Sequence, residues 1–240
     1  MPLVKKAIMC AMVAMVGALL VSPVTVVSAQ PLDNVIQLTD NDYDDYDDYD
    51  PQISGQRVTW CGDVGGDGEI FGEIFLYDGQ QSIQLTDNGY HDCDPQISGR
   101  RVTWCGDVGG YGEIFLYDGK QTIQLTDNDD YDCFPQISGQ RVTWFGYVSY
   151  DYEIFLYDGQ QTIQLTDNDY DDWFPQISGQ RVTWCGYGGD DEEIFLYDGQ
   201  QTIQLTYNAY DDWYPQISGR RVTWRGDAGI DGEIFLLNGR

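Results

Sequence analysis

The residues with the most potential for chemistry are carboxylates in short loops that recur along the chain. Aspartates occupy alternate positions in three of these loops: Asp40, Asp42 and Asp44; Asp127 and Asp129; and Asp167, Asp169 and Asp171. Calcium takes six to eight oxygen ligands, so this spacing favours a Ca²⁺ site. The glycine and distal glutamate of an EF-hand do not follow, and a solvated acidic loop that keeps an exported protein in solution is the alternative.

Aromatic side chains stand among the same carboxylates. The five that we expect to contact a ligand are Tyr131, Tyr170, Trp173, Tyr210 and Trp213. Rings beside carboxylates can stack on sugars or hold cationic side chains. The alternative is packing between neighbouring loops.

Other chemistry is sparse, and we predict no catalytic residues. His91 is the single histidine, and the chain has no nucleophile motif, zinc cluster or phosphate loop. Paired carboxylates leave a glycan-cleaving enzyme as an alternative. The formal net charge of −28 argues against nucleic acid and anionic lipid as partners.

The chain opens like a secretory leader. Lys5 and Lys6 precede an apolar run, and a small-residue cleavage site ends at Ala29. We expect a signal peptide over residues 1–29, no membrane insertion after its removal, and a secreted, periplasmic or cell-surface location. Five cysteines would remain in an oxidising compartment. Cys93 and Cys105 flank a predicted hairpin, which makes them the predicted disulfide.

The elements that position these residues follow from a repeat of about 40 residues. Each copy opens at a proline: Pro51, Pro95, Pro135, Pro175 and Pro215. In the third copy, strands are predicted over 136–138, 141–144, 153–157 and 162–166, with hairpin signals at Gly139-Gln140 and Asp158-Gly159. Four antiparallel strands per repeat predict the blade of a β-propeller, with the recurrent tryptophans, such as Trp144, in the core.

The repeat predicts an all-β, five-bladed propeller over residues 30–240. Val35–Thr39 has the sequence of a fourth strand, and the last repeat ends after its third strand, Glu233–Leu237. We expect the first segment to complete the last blade and close the ring, which removes an open strand edge. A piece of a longer propeller is the alternative.

The repeat also places charges. The arginines that begin each second strand, such as Arg57 and Arg141, fall on the short-turn face beside Asp78 and Asp158, so we expect cross-strand ion pairs. Most remaining negative charge then lies on the long-loop face. Asp48, Asp92, Asp132, Asp172 and Asp212 recur three residues before each proline. A position kept in every repeat favours a structural role, which we expect to be accepting backbone hydrogen bonds in the turn.

These phrases resemble the repeats of TolB-type β-propellers. The resemblance is carried in the third copy by Leu125-Thr126, Asp132, Pro135, Ile137-Ser138-Gly139, Val142, Trp144 and Glu153-Ile154-Phe155. It implies a propeller scaffold of an exported prokaryotic envelope protein. The hairpin Ser138-Gly139-Gln140-Arg141 departs from the usual Ser-Pro-Asp-Gly of that family and looks like the variant repeats of exported surface proteins.

Taken together, the sequence predicts a non-catalytic binding module that engages a protein or a glycan through an acidic, aromatic loop face. A structural surface protein that binds calcium and a glycan-cleaving enzyme remain the alternatives.

Overall fold

The computed structural model describes residues 34–41, 47–66, 69–227 and 231–239. The predicted signal peptide, residues 1–29, lies outside the described residues. Within them the secondary structure is all β, with five antiparallel sheets that we call blades 1 to 5. No helix in the described part of the chain is long and apolar enough to cross a membrane.

The first three blades are complete, and each runs in chain order from one edge to the other. Blade 1 comprises β1 (Asp48–Ser54), β2 (Arg57–Gly66), β3 (Glu69–Tyr77) and β4 (Ser82–Gln84). Blade 2 comprises β5 (Asp92–Ser98), β6 (Arg101–Val108), β7 (Tyr111–Tyr117) and β8 (Thr122–Gln124). Blade 3 comprises β9 (Asp132–Ser138), β10 (Arg141–Val148), β11 (Asp151–Tyr157) and β12 (Thr162–Gln164).

Blade 4 is also complete, whereas blade 5 has three described strands. Blade 4 comprises β13 (Asp172–Ser178), β14 (Arg181–Tyr187), β15 (Glu192–Tyr197) and β16 (Thr202–Gln204). Blade 5 has three described strands, β17 (Asp212–Ser218), β18 (Arg221–Asp227) and β19 (Gly232–Asn238). Residues 35–41 carry no strand.

The core lies between successive blades. The second and third strands are apolar on both faces, so blades that follow one another in the chain pack together. At the boundary of blades 1 and 2, for example, Ile74 and Leu76 pack with Val102 and Trp104. Every described boundary repeats this arrangement, with Trp144 and Trp184 in the same role. The prediction that these recurrent tryptophans are core residues is confirmed for Trp60, Trp104, Trp144 and Trp184, whereas Trp224 of blade 5 is half-buried.

Blade 5 shows what this packing does for the other blades. Ile194 and Leu196 of β15 are buried, whereas their equivalents in β19, Ile234 and Leu236, are 76% and 58% exposed. Burying such a side chain stabilises a fold by about 1.5–3 kcal/mol. The outer surface of β19 is therefore an apolar face without a neighbouring blade among the described residues.

Each first strand contains a β-bulge just before its proline. The register between β9 and β10, for instance, shifts between Thr143 and Phe145. The residue before each proline has a left-handed backbone, with φ between 51° and 54°: Asp50, Asp94, Phe134, Phe174 and Tyr214. A non-glycine residue held there costs about 1–3 kcal/mol and marks positions that are worth examining for function.

The two short turns of each blade lie side by side. Gly79 lies in the turn between β3 and β4, and Gln56 lies in the turn between β1 and β2. A Cβ atom added to Gly79 would lie 3.7 Å from the carbonyl oxygen of Gln56, so the two turns are neighbours. The longer inter-blade loops meet the other end of the strands, where Asp63 N donates to Asp47 O. The predicted separation into a short-turn face and a long-loop face therefore holds within each blade.

The predicted ion pairs on the short-turn face are wrong. Within the described ranges, the pair with N···O below 4 Å is Arg225–Asp227, on the long-loop face. Asp78 Oδ1 instead accepts hydrogen bonds from the amides of Gln80 and Gln81, at 2.8 and 3.0 Å. The turn holds these two amides against the carboxylate. The amides of Gln81 and Gln80 therefore lower the pKa of Asp78 more than Arg57 does.

Candidate functional site

The recurrent aspartate at the start of each blade lies at the centre of a polar hub, and this aspartate is buried in blades 2 to 5 and exposed in blade 1. Asp132 Oδ1 accepts a hydrogen bond from Trp144 Nε1 at 2.8 Å, and its Oδ2 accepts one from Asn128 Nδ2 at 2.7 Å. The same two bonds form at Asp48, Asp92, Asp172 and Asp212. The predicted structural role is confirmed, but the donors are an indole and an amide, not the backbone of the turn.

A buried glutamate completes the hub. Glu113 Oε1 accepts a hydrogen bond from Asn128 N at 3.0 Å, whereas its Oε2 is buried without a partner. Glu73, Glu153 and Glu193 repeat this arrangement. Burial raises the pKa of Asp92 and Asp132 to about 6 and that of Asp172 to about 7. Asp92, Asp132 and Asp172 therefore hold their inter-blade loops with carboxyl groups that keep a proton to a higher pH than an ordinary aspartate does.

Cysteine side chains lie at the boundary between blades 1 and 2 and at the boundary between blades 2 and 3. We call this region the thiol sector, defined by Tyr49, Cys61, Cys93, Asp94, Cys105 and Cys133. Cys105 of blade 2 forms a disulfide with Cys133 of blade 3, and Cys61 and Cys93 are thiols. Asp94 Oδ2 lies 3.9 Å from the sulfurs of both Cys93 and Cys133.

The predicted disulfide between Cys93 and Cys105 is therefore wrong. The two residues are opposite each other on β5 and β6, as expected from their places beside the hairpin. Cys105, however, directs its sulfur across the blade boundary, 3.4 Å from Asp132 O. Cys93 Sγ instead lies 3.9 Å from Asp94 Oδ2, and its pKa is raised by burial, then by Asp94 and by Cys61 of blade 1. The contacts between blades, which hairpin spacing does not reveal, decide the pairing.

Blades 3 to 5 carry rings at the same repeat positions. Neighbouring centroids lie 5.2 to 6.5 Å apart along a continuous series that runs Phe134, Phe145, Tyr152, Trp173, Phe174, Tyr214, Trp213. We call these seven residues the aromatic band. Phe134, Phe174 and Tyr214 are 48%, 41% and 56% exposed, so one edge of the band is accessible to solvent.

The predicted ligand-contacting residues divide between the band and its surroundings. Trp173 and Trp213 belong to the band and are half-buried. Tyr170 and Tyr210 are exposed on loops where Asn168 and Asn208 accept their backbone amides, and Tyr170 contacts Tyr187 at 5.8 Å. Tyr131 is 41% exposed. Its partial burial, followed by the nearby Cys93, Asp94 and Tyr152, raises its pKa.

The band already holds one cation. The guanidinium carbon of Arg225 lies 5.4 Å from the centroid of Trp213, and Arg225 pairs with Asp227 at 3.3 Å. Trp213 Nε1 in turn donates to Glu192. Burial and then Asp211 raise the pKa of Glu192. A ring and carboxylates thus surround a guanidinium at the blade 5 end of the band.

Two cavities open on the loop face at equivalent places in blades 3 and 5. The larger, of about 350 Å³, is lined by Asp130, Asp132, Trp144 and Tyr147 among others. Its counterpart, of about 270 Å³, includes Tyr210, Asp212, Trp224 and Asp227. Both cavities combine rings with carboxylates, and neither is lined by a residue of the aromatic band.

The predicted calcium ligands that the structure describes do not form a metal site. Among the described residues, no group of three or more histidine, cysteine, aspartate or glutamate side chains is arranged to hold a metal ion. Asp42 and Asp44 lie outside the described residues. Asp171 Oδ1 accepts the amide of Tyr152 at 2.9 Å, which commits that oxygen to the backbone. Calcium binding by Asp40, Asp127, Asp129, Asp167 and Asp169 stays a prediction.

His91 has a structural partner. Its Nδ1 accepts a hydrogen bond from Gly72 N at 3.0 Å, across the boundary between blade 1 and the loop that leads into blade 2. Asp211 accepts the amide of Glu192 in the equivalent place. The sequence did not predict this hydrogen bond between the third strand and the following loop, because the residues that form it differ between repeats.

Comparison with known proteins identifies the fold and no more. No protein-family model matches the chain, and no curated protein matches it. TolB from Acinetobacter baumannii aligns with a TM-score of 0.50 at 15% identity over 71% of this chain and 47% of its own. The chain has a TolB-like β-propeller fold.

Two peptidases contain a similar propeller. An acylaminoacyl peptidase from Pyrococcus horikoshii gives a TM-score of 0.53 at 15% identity over 78% of this chain and 33% of its own. A puromycin-hydrolyzing peptidase from Mycobacterium tuberculosis gives 0.58 at 13% identity over 80% and 36%. The chain therefore spans a third to a half of the length of these three structures, and the likeness shows the fold alone.

Proposed function

We propose that this protein is a non-catalytic binding module of the extracellular space, periplasm or cell surface, which engages a cationic segment of another protein through the aromatic band. The single observation that carries the proposal is the guanidinium of Arg225 over the ring of Trp213, flanked by Asp227 and hydrogen-bonded Glu192. The site already binds, within its own chain, the group that we propose it recognises on a partner.

The remaining rings supply similar places. The ring centroids of Phe174 and Tyr214 lie 5.2 Å apart, and both rings are half-exposed. Cation–π contacts of arginine or lysine contribute about 0.5–1 kcal/mol at exposed sites and more when water is excluded. The negative charge of the chain would also speed the encounter with a basic partner.

The exported location has a separate support. The disulfide between Cys105 and Cys133 is of the kind that persists in oxidising compartments. A glycan remains the second ligand class, because half-exposed rings beside carboxylates also stack on sugars.

The test is a calorimetric titration with a short peptide that alternates arginine and glycine. The same peptide with glutamate in place of arginine is the control, and a panel of neutral oligosaccharides tests the second ligand class. We expect binding of the basic peptide that weakens with salt. The variant Phe174→Asn/Tyr214→Asn removes both rings, and asparagine tolerates the left-handed backbone. It should weaken binding about tenfold, while Tyr207→Asn, an exposed ring outside the band, should not.

Oligosaccharide binding without basic-peptide binding would replace the proposed ligand class with glycans. Release of reducing sugar that depends on the loop aspartates would instead support a glycan-cleaving enzyme. Neither binding nor turnover, with a folded protein, would contradict the proposal.

We also propose that residues 35–39 supply the fourth strand of blade 5 and so close a five-bladed ring. Leu38 and Thr39 already line a cavity of about 200 Å³ with Val58 and Trp60 of blade 1. Leu85 packs in the same way on Trp104 of blade 2. Closure would bring the exposed Ile234 and Leu236 of β19 against blade 1, as Ile74 and Leu76 lie against blade 2.

Hydrogen exchange tests the closure. Amides of residues 35–39 and of β19 should exchange as slowly as those of β16 and β15. Fast exchange in both segments, or a protein dimer in which β19 alone is protected, would contradict an internal closure and leave a longer or shared propeller.

A further inference from the structure

The disulfide between Cys105 and Cys133 occupies two defined repeat positions. Cys105 lies directly after the core tryptophan Trp104 on the second strand of blade 2. Cys133 lies directly after the hub aspartate Asp132 on the first strand of blade 3. Cys61 follows Trp60 in blade 1, and Cys93 follows Asp92 in blade 2. Cys61 and Cys93 therefore stand in the same two positions, one blade boundary earlier.

The backbone and sulfur geometry agree at the two boundaries. Cys61 Sγ contacts Asp92 O at 3.1 Å, and Cys105 Sγ contacts Asp132 O at 3.4 Å. In both cases the carbonyl belongs to the residue just before the second cysteine. The sulfur of Cys61 thus approaches Cys93 from the direction in which Cys105 reaches Cys133.

The surroundings on the third strand also correspond. A Cβ atom on Gly72 would lie 2.8 Å from Cys61 Sγ, and one on Gly112 would lie 3.1 Å from Cys105 Sγ. A glycine in this place leaves room for the sulfur at both boundaries. At the boundary of blades 3 and 4 the corresponding residue is Tyr152, which packs on Phe145.

The other two boundaries provide natural contrasts. Between blades 3 and 4 the two positions hold Phe145 and Trp173, which belong to one apolar cluster. Between blades 4 and 5 they hold Cys185 and Trp213, and Cys185 Sγ contacts Asp212 O at 3.2 Å. Cys185 is thus equivalent to Cys61 in place and burial but faces a ring where Cys61 faces a thiol.

We propose that Cys61 and Cys93 form a second disulfide across the boundary of blades 1 and 2. The two thiols lose two protons and two electrons, and the electrons reduce an oxidised dithiol of the exported compartment to its two thiols by thiol–disulfide exchange. Together with Cys105–Cys133, this bond links three successive blades. Cys185 stays a thiol.

The timing of the bond follows from burial. Burial is the largest cause that raises the pKa of Cys61 and of Cys93 to about 12. Because the thiolate is the reacting form, two such thiols react slowly in the folded protein at neutral pH. We therefore place bond formation during folding, before blades 1 and 2 close on the sulfurs.

Peptide mapping of the exported protein tests the proposal. The protein is alkylated in denaturant without reductant, digested and analysed by mass spectrometry. We expect the peptide of Cys61 linked to that of Cys93, the peptide of Cys105 linked to that of Cys133, and alkylation of Cys185. Alkylated Cys61 and Cys93 in molecules with an intact Cys105–Cys133 bond, or a Cys93–Cys105 link, would overturn it.

A stability measurement gives a second readout. The double variant Cys61→Ser/Cys93→Ser should lower the Tm by about 5–10 °C without reductant. Cys185→Ser is the matched control for burying a hydroxyl and should lower it less. Reductant should then lower the Tm of the parent protein more than that of the double variant, because the parent loses two bonds and the variant loses one. An equal loss in both proteins would contradict the second bond.

Discussion

The thiol sector and the aromatic band occupy the same repeat positions of one scaffold, yet they carry different chemistry. The residue before the proline is Asp94 in blade 2 and Phe174 in blade 4, with nearly the same left-handed backbone. The residue after the core tryptophan is Cys105 in blade 2 and Phe145 in blade 3. The hubs beneath them are the same. The scaffold therefore fixes where these side chains lie, and the residue type then decides between a covalent link and ring packing.

The largest expected effect comes from the scaffold that both regions share. Trp144→Ala removes a buried indole and leaves Asp132 Oδ1 without its indole donor, so it should lower the free energy of unfolding by about 3–5 kcal/mol. Trp173→Ala, in the half-buried band, should cost less. Urea denaturation measures both, and a larger loss at Trp173 would show that the band is core.

The next effect separates the two regions. Cys105→Ala/Cys133→Ala removes the disulfide of the thiol sector and should lower the free energy of unfolding by about 2–4 kcal/mol. Binding of a basic peptide to the band should be unchanged in the folded variant. A loss of affinity comparable to that of the band variants would mean that the two regions act as one site.

A third effect is a dependence of stability on pH. Burial raises the pKa of Asp92 to about 6 and that of Asp172 to about 7, above the ordinary value near 3.8. These groups hold protons more tightly when folded, so their contribution is complete below about pH 4 and lost as pH rises through 6 to 7. The free energy of unfolding should fall between about pH 4 and pH 8, on the order of 1–3 kcal/mol.

Matched variants sharpen this prediction. Asp172→Asn should flatten the profile near pH 7, and Asp92→Asn should flatten it nearer pH 6. Unfolding curves collected across this range measure the slope. Stability that rises with pH would contradict the protonated hubs.

The smallest expected effect concerns calcium. If the acidic loops bind Ca²⁺, millimolar calcium should raise the Tm and magnesium should not, because extracellular sites of this kind bind at about 10⁻⁴–10⁻³ M. Asp167→Asn/Asp169→Asn should remove the increment. Equal responses to the two cations would reduce the loops to a solvated acidic surface.

The repeat made most of the fold predictable. Strand-forming runs, Asp-Gly turns and the period of about 40 residues define the blades because each of these signals is local. The core tryptophans followed from recurrence in every copy. Completion of blade 5 by Val35–Thr39 stays a prediction, because it depends on contacts between segments that are distant in the chain.

The candidate site was less predictable, for identifiable reasons. The partner of Cys105 depends on the face from which its sulfur leaves the blade, and the spacing of Cys93 suggested a neighbour that points elsewhere. The hub partners Asn128 and Glu113 look like solvated loop and strand residues until the fold buries them. The prediction did select Trp173 and Trp213, because aromatic residues that vary between repeats stood out against the constant core.

An exchange of residues between the two regions tests the central claim most directly. Phe174→Asp/Tyr214→Asp gives blades 4 and 5 the residue that blades 1 and 2 already carry at the same left-handed position. Asp50→Phe/Asp94→Phe is the reverse exchange. Calorimetric titration of the arginine-glycine peptide should show affinity reduced about tenfold or more, about 1.4 kcal/mol, in the first variant and retained in the second. Unchanged affinity in a folded Phe174→Asp/Tyr214→Asp protein would contradict the claim that the aromatic band is the binding surface.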